Sequence, residues 1–275
     1  MRAHHTQLNR LITTRLPLCL PPHASSPYQY LAGMTLFSHL YTTIEEVWQE
    51  LLDGQCRCER MLDVLQTLET PGLRRTETIR ADLHEIEHRL GNKVPHDLHT
   101  LHKQSAQYSI ELKQLFLQRP VLLLAWTWNM YLAIFNGGRF IREQLRSAGT
   151  EFWMGEHCLS FWEFDGDQDG EDIKKAFKKH FEVASQSLTR GERQELIRES
   201  VRVFEVCEAM IKVLDDSLGT EPKQIQQVET VQQAAGFLTM LSGSWQAMAR
   251  MWLFFRKAAR PVAVQPKAVS VEATG

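Results

Sequence analysis

The sequence predicts an all-α protein. Two observations carry that prediction: apolar residues recur at three- and four-residue spacing through most of the chain, and no run of alternating apolar and polar residues competes with them. A third is size, since 275 residues with 43% hydrophobic content are enough for one substantial core. The helical body is expected over residues 1–217, followed by a polar linker over 218–233, an amphipathic helix over 234–258 and a disordered tail over 259–275.

The first helix is expected at 4–16. The stretch "SSPYQYLAGMTLFSHLYTTIEEVWQELL" then opens with a Ser cap and Pro27 in its first turn. Leu31, Met34, Phe37, Leu40, Ile44, Val47, Trp48 and Leu51 mark one apolar face along it. Further helices are expected at 73–90, 95–118, 120–147, 171–187 and 190–217. Thr189 and Glu192 announce the last of these, because Ser or Thr followed three residues later by Glu satisfies two orphan backbone N–H groups reciprocally. The segment "VLLLAWTWNMYLAIF" at 121–135 is almost wholly apolar, yet falls short of the roughly 20 residues a bilayer span requires, so it reads as a buried central helix.

Beyond "GTEPKQIQQVETVQQ", Leu241, Trp245, Met248, Trp252 and Phe255 form one stripe with Gln246, Arg250 and Lys257 opposite. Arg250 near its middle argues against a span, and the pattern suits docking on the protein body or peripheral contact with a membrane surface. A net charge of −2 gives no basic footprint for nucleic acid. Of five cysteines only Cys56 and Cys58 are close in sequence, which makes neither a disulfide framework nor a zinc pattern and predicts a cytoplasmic protein. The first 30 residues lack a continuous apolar run, so no secretory leader is expected.

Gly137 and Gly138, in "NMYLAIFNGGRFIREQL", sit inside the central helix, where each costs roughly 1 kcal/mol relative to Ala. The usual reasons are a kink or the close approach of another body. A crossing helix is the commoner such body, and a flat cofactor is the alternative.

The order of segments resembles the heme oxygenase family. Its distal helix carries Tyr-Leu-Gly-Asp-Leu-Ser-Gly-Gly, here "YLAIFNGG" at Tyr131 to Gly138. "HTQLNRL" at His5 to Leu11 resembles the proximal-histidine segment, and "LFSHLYTTIEE" the helix that follows it. "LSFWEFDG" and "AFKKHFEVASQSLTRGERQELIRESVRVFEVCEAMIKVL" resemble the later turn and the last two helices, so that the likeness runs over about 4–217.

The resemblance implies a multi-helical bundle with a kinked distal helix and heme held between two helices. It makes His5 the ligand of the heme iron, with His4 pointing away and Asn9 offering its amide oxygen to the second ring nitrogen. Ala133, Gly137 and Gly138 would face the porphyrin. Lys178 in "FKKHF" would meet a propionate, with Arg2 as a further basic group and Glu182 where the family has an arginine. The implied activity is oxygen-dependent conversion of heme to biliverdin, carbon monoxide and ferrous iron, using dioxygen and electrons from an NADPH-dependent reductase. Ile134 stands at the position of the family's distal aspartate and cannot hydrogen-bond a water, so no catalytic residue is assigned there. The alternative is a noncatalytic heme-binding or sensing protein on the same scaffold.

Three metal patterns compete. "DGDQDG" at Asp165 to Gly170 matches half a calcium loop, but Ala176 stands where the bidentate Glu belongs, and the stretch reads as an acidic connector with Asp169 capping the next helix. Glu85 and His88 have the spacing of helical diiron sites without a second such motif. His96, His99 and His102 share a helix in a polar context that suggests an outward face.

Overall fold

The computed structural model describes residues 2–93, 97–221 and 223–228, and among these there is no strand. The helices expected within these residues form. In chain order they are α1 (Arg2–Arg15), α2 (Tyr28–Glu50), α3 (Glu59–Leu68), α4 (Thr76–Leu90), α5 (Asp97–Gln118), α6 (Leu123–Arg146), the short α7 (Gly149–Phe152), α8 (Glu171–Gln186) and α9 (Arg190–Leu218). The amphipathic segment at 234–258 and the tail at 259–275 lie outside the described residues.

Helices α2 and α6 form the centre. Leu31, Leu36, Leu40, Ile44 and Val47 are fully enclosed along α2, which packs on α4, α5 and α9. The apolar start of α6 is buried on every side, with Trp126 and Tyr131 wholly enclosed, as expected for a helix without a polar face. Helix α1 lies on α9, and α9 on α6.

Two helices depart from the sequence expectation. Helix α3 is absent from the sequence expectation: Cys58 at its N-cap provides no side-chain cap, and its signal is the short buried stripe Met61, Val64, Leu65 and Leu68, on a helix that packs on α8. Trp48 Nε1 donates to Leu65 O at 3.2 Å and ties α3 to α2. Helix α4 starts at Thr76 and not at residue 73, because its cap comes from across the fold. The Glu45 carboxylate on α2 accepts from the backbone N–H of Arg75 at 2.6 Å and of Thr76 at 3.0 Å.

The same Glu45 accepts the Tyr131 hydroxyl of α6 at 2.7 Å, so one buried carboxylate joins three helices. Burial beside Glu45 pushes the Tyr131 phenol far up and keeps it protonated as the donor. Arg75, also buried, donates to the carbonyls of Gly72 and Glu163 and lies 4.4 Å over the Phe164 ring.

The expected capping box forms, with Glu192 N donating to Thr189 Oγ1 at 3.2 Å and Thr189 N to Glu192 Oε2 at 2.7 Å. Asp169 does not cap α8. Gly170 takes that position in the left-handed region, and the Asp169 carboxylate turns instead to Arg142, 2.6 Å away, and Arg139, 3.0 Å away. Two guanidinium groups outbid a set of backbone N–H groups for one carboxylate.

Candidate functional site

Helices α1, α2, α6 and α9 enclose a predominantly apolar cavity of about 230 Å³. On the α1 side, His5, Leu8, Asn9 and Ile12 appear at helical spacing and form one wall. His5 is only 7% exposed, and its ring meets Phe204 of α9 edge to face at 5.9 Å between centroids. Burial lowers the imidazole from 6.5 to about 4, so the ring is neutral at neutral pH and has a lone pair to offer. Asn9, one turn on, places Nδ2 3.4 Å from His5 Nδ1 and 3.3 Å from Nε2. The amide nitrogen, and not the expected oxygen, therefore faces the ring.

The opposite wall is α6, which runs unbroken through both glycines with neither at positive φ. Met130, Ala133, Ile134 and Gly137 line it. A β-carbon at Gly137 would meet nothing within 4 Å, so the absent side chain leaves open space on the cavity side. Gly138 does not line the cavity; a β-carbon there would stand 3.1 Å from the Trp162 ring. Ile134 is buried in the wall.

The polar groups of the cavity are few. Trp162 Nε1 donates to Tyr30 Oη at 2.9 Å, and Tyr41 Oη to Met130 O at 3.1 Å. Asn129 donates through Nδ2 to Ala125 O at 2.6 Å and Ser200 Oγ at 3.2 Å, while its Oδ1 is buried without a hydrogen-bond partner. Gln29 Oε1 is likewise buried and unpartnered. Cys19 and Cys207 also line the space, and burial pushes both thiols up to about 12, so they are neutral.

The structure thus brings His5, Asn9, Ala133, Ile134 and Gly137 around one cavity. His4 and Lys178 stand outside its wall, both half-buried, and Glu182 is exposed on α8. Arg2 belongs to the first turn of α1. Sequence reasoning did not find the contributions of Tyr30, Tyr41, Asn129, Phe204 and Cys207. Tyr41 had a local signal, four residues after Phe37 on the same face of α2; the α9 residues had none, because their role depends on where α9 docks.

Among the described residues no three His, Cys, Asp or Glu side chains cluster closely enough to hold a metal ion. Glu85 of the diiron-like spacing pairs with Arg89 at 2.7 Å, and His96 falls outside the described residues. No described helix is long and apolar enough to cross a membrane.

Comparison with solved structures shows the same fold elsewhere. Heme oxygenase 2 from Chlamydomonas reinhardtii, solved without heme, matches with a TM-score of 0.61 and 22% identity over 78% of this chain and 93% of that one. Heme oxygenase-2 from Synechocystis sp. PCC 6803, in complex with heme and NO, matches with a TM-score of 0.62 and 16% identity over 82% and 89%. Heme oxygenase-1 from the same cyanobacterium, in complex with heme, gives 0.53 and 16% over 85% and 94%. Comparison with curated protein sequences finds no match. A family model described as heme oxygenase matches residues 26–213, a stretch that includes the α6 wall and leaves His5 upstream. That match spans more than half of the 275 residues, and the chain belongs to the heme oxygenase family.

Proposed function

We propose that the chain binds heme in the cavity between α1 and α6, with His5 as the iron ligand and the α6 backbone at Gly137 against the opposite face. The observation that carries this reading is the pairing, across one apolar space, of a buried neutral imidazole with a glycine whose missing side chain leaves room. A flat apolar ring system with a Lewis-acidic centre needs just those two walls. The heme-containing relatives with this fold support it further.

Each residue has a defined task in this reading. Burial keeps His5 unprotonated, and Phe204 fixes the plane of its ring. The His5 nitrogen not used for the iron would carry a proton and need an acceptor, and a half-turn of the neighbouring Asn9 amide would present its oxygen to that N–H. The propionate contact that the sequence expectation gives Lys178 gains no support from the cavity wall, which Lys178 does not line. When bound, heme supplies an iron centre able to react with dioxygen using electrons from a reductase.

The family's reaction would convert that heme to biliverdin, carbon monoxide and ferrous iron. One observation favours noncatalytic binding or sensing: Ile134 and Ala133 present only hydrocarbon where a proton-delivering group would stand. Hemin titration, followed by reductase and NADPH or by ascorbate in air, separates the readings. One-to-one uptake with a Soret shift and little biliverdin supports binding alone, rapid biliverdin formation supports retained catalysis, and no uptake overturns both. Peripheral membrane contact through 234–258 stays a separate proposal resting on its sequence stripe.

A further inference from the structure

Away from the cavity, the packing of α2 on α5 brings two histidines together. His39 Nε2 lies 3.3 Å from His102 Nδ1, with ring centroids 5.5 Å apart and planes at 74°. Both residues are half-buried, so solvent reaches the pair. Ser109 Oγ stands 3.4 Å from His39 Nδ1. In the tautomer with the proton on Nδ1, this hydroxyl accepts it and Nε2 carries the lone pair on the side of His102, the kind of neighbour that sets the tautomer of metal-binding imidazoles.

We propose that His39 and His102 form a binding site for a late first-row divalent cation of the zinc, nickel or copper class, in which the ion takes the place of the proton the two rings share. The distance between the nitrogens carries the argument. Two imidazoles on a tetrahedral zinc, with bonds of about 2.0–2.1 Å, hold their nitrogens about 3.3–3.4 Å apart, and the separation here is 3.3 Å before any ion arrives. Neutral imidazole prefers these metals over magnesium and calcium.

The scaffold suits a rigid site, because the ligands stand on two long helices, of 23 and 22 residues, that pack on each other. No third His, Cys, Asp or Glu among the described residues joins them, so water completes the coordination and the affinity is moderate. His99, one turn before His102, shares its side of α5. The ion would staple α2 to α5 independently of heme.

Equilibrium dialysis of the heme-free full chain against Zn²⁺ at pH 7.5 tests the site, comparing wild type with His39→Ala, His102→Ala, the double variant and His102→Gln. The wild type should hold one more zinc ion than each variant, and the double variant should lose no more than either single one. His102→Gln keeps a hydrogen-bonding partner for His39 while removing the imidazole donor, so its metal-free thermal midpoint should match wild type. Zinc should then raise the midpoint by a few degrees in wild type only. Equal zinc counts in wild type and His102→Gln, or the loss of two ions in the double variant, would overturn the proposal.

Discussion

Trp162 occupies the place that a side chain on Gly138 would need: a β-carbon there would lie 3.1 Å from Trp162 Cε3 and 3.3 Å from Ile134 Cγ2. One residue earlier, Gly137 meets nothing within 4 Å. The adjacent glycines therefore do separate things, one admitting an indole against the helix and the other leaving a cavity open. The Trp162 indole is anchored by its hydrogen bond to Tyr30, so it yields only at a cost.

This division predicts different stability effects at the two positions. Gly138→Ala should destabilise by about 1–3 kcal/mol through overpacking, whereas Gly137→Ala should be neutral or stabilise by up to about 1 kcal/mol through helix propensity. Urea unfolding of the heme-free protein measures both. Gly137→Leu should in addition weaken hemin binding at little cost to the fold, and equal effects at the two positions would refute the division.

The Glu45 carboxylate should be one of the most sensitive positions in the fold. Tyr131→Phe removes one donor and should cost about 1–3 kcal/mol, as expected for a hydrogen bond to a charged group. Glu45→Leu leaves two buried backbone N–H groups and the Tyr131 hydroxyl without their acceptor and should cost about 3–5 kcal/mol. Denaturant midpoints of the two variants provide the check, and a small effect of Glu45→Leu would show that water replaces the carboxylate.

Much of this architecture was legible in the residues, for reasons that mark its limits. The capping box at Thr189 and Glu192, the stripe along α2 and the all-round apolar start of α6 are local patterns, and local patterns survive folding. The start of α4 was displaced because its cap, Glu45, lies about 30 residues upstream. Asp169 was misjudged because Arg139 and Arg142 reach it from another helix. In the cavity, "HTQLNRL" and "YLAIFNGG" pointed to His5 and Gly137, yet no local pattern separates Gly137 from Gly138. Only the position of Trp162 does that.

His5 makes stability depend on pH in a defined direction. The unfolded chain binds a proton on this imidazole near 6.5, the folded chain only near 4, so the unfolded state holds more protons between those values. The stability that His5 contributes is therefore complete above about 6.5 and is lost as pH falls toward about 4. His5→Phe should flatten that part of the curve, measured as the difference in thermal midpoint between variant and wild type from pH 7 to pH 4. An unchanged difference across the range would contradict the buried neutral state.

Restoring a polar group to the α6 wall should change chemistry without changing binding. If the wall lacks only a group to organise water, Ile134→Asp should increase biliverdin formation from bound heme supplied with ascorbate or a reductase. The carboxyl enters an apolar setting and tends to stay protonated unless water accompanies it, so Ala133→Gly with Ile134→Asp should exceed the single change. Absorption and mass spectrometry of the product follow this directly, and no gain in either variant despite intact heme uptake would count against the explanation.

The central claim is that His5 ligates heme iron, and removal of the ring followed by its chemical replacement tests it most directly. In His5→Gly the side-chain space on α1 opens into the cavity, so added imidazole can enter where the tethered ring stood. The measurement is the Soret and resonance Raman signature of hemin bound to wild type and to His5→Gly, the latter with and without millimolar imidazole. The account predicts a histidine-ligated spectrum in wild type, its loss in the variant and its return with imidazole. A variant spectrum identical to wild type before any imidazole is added would contradict it.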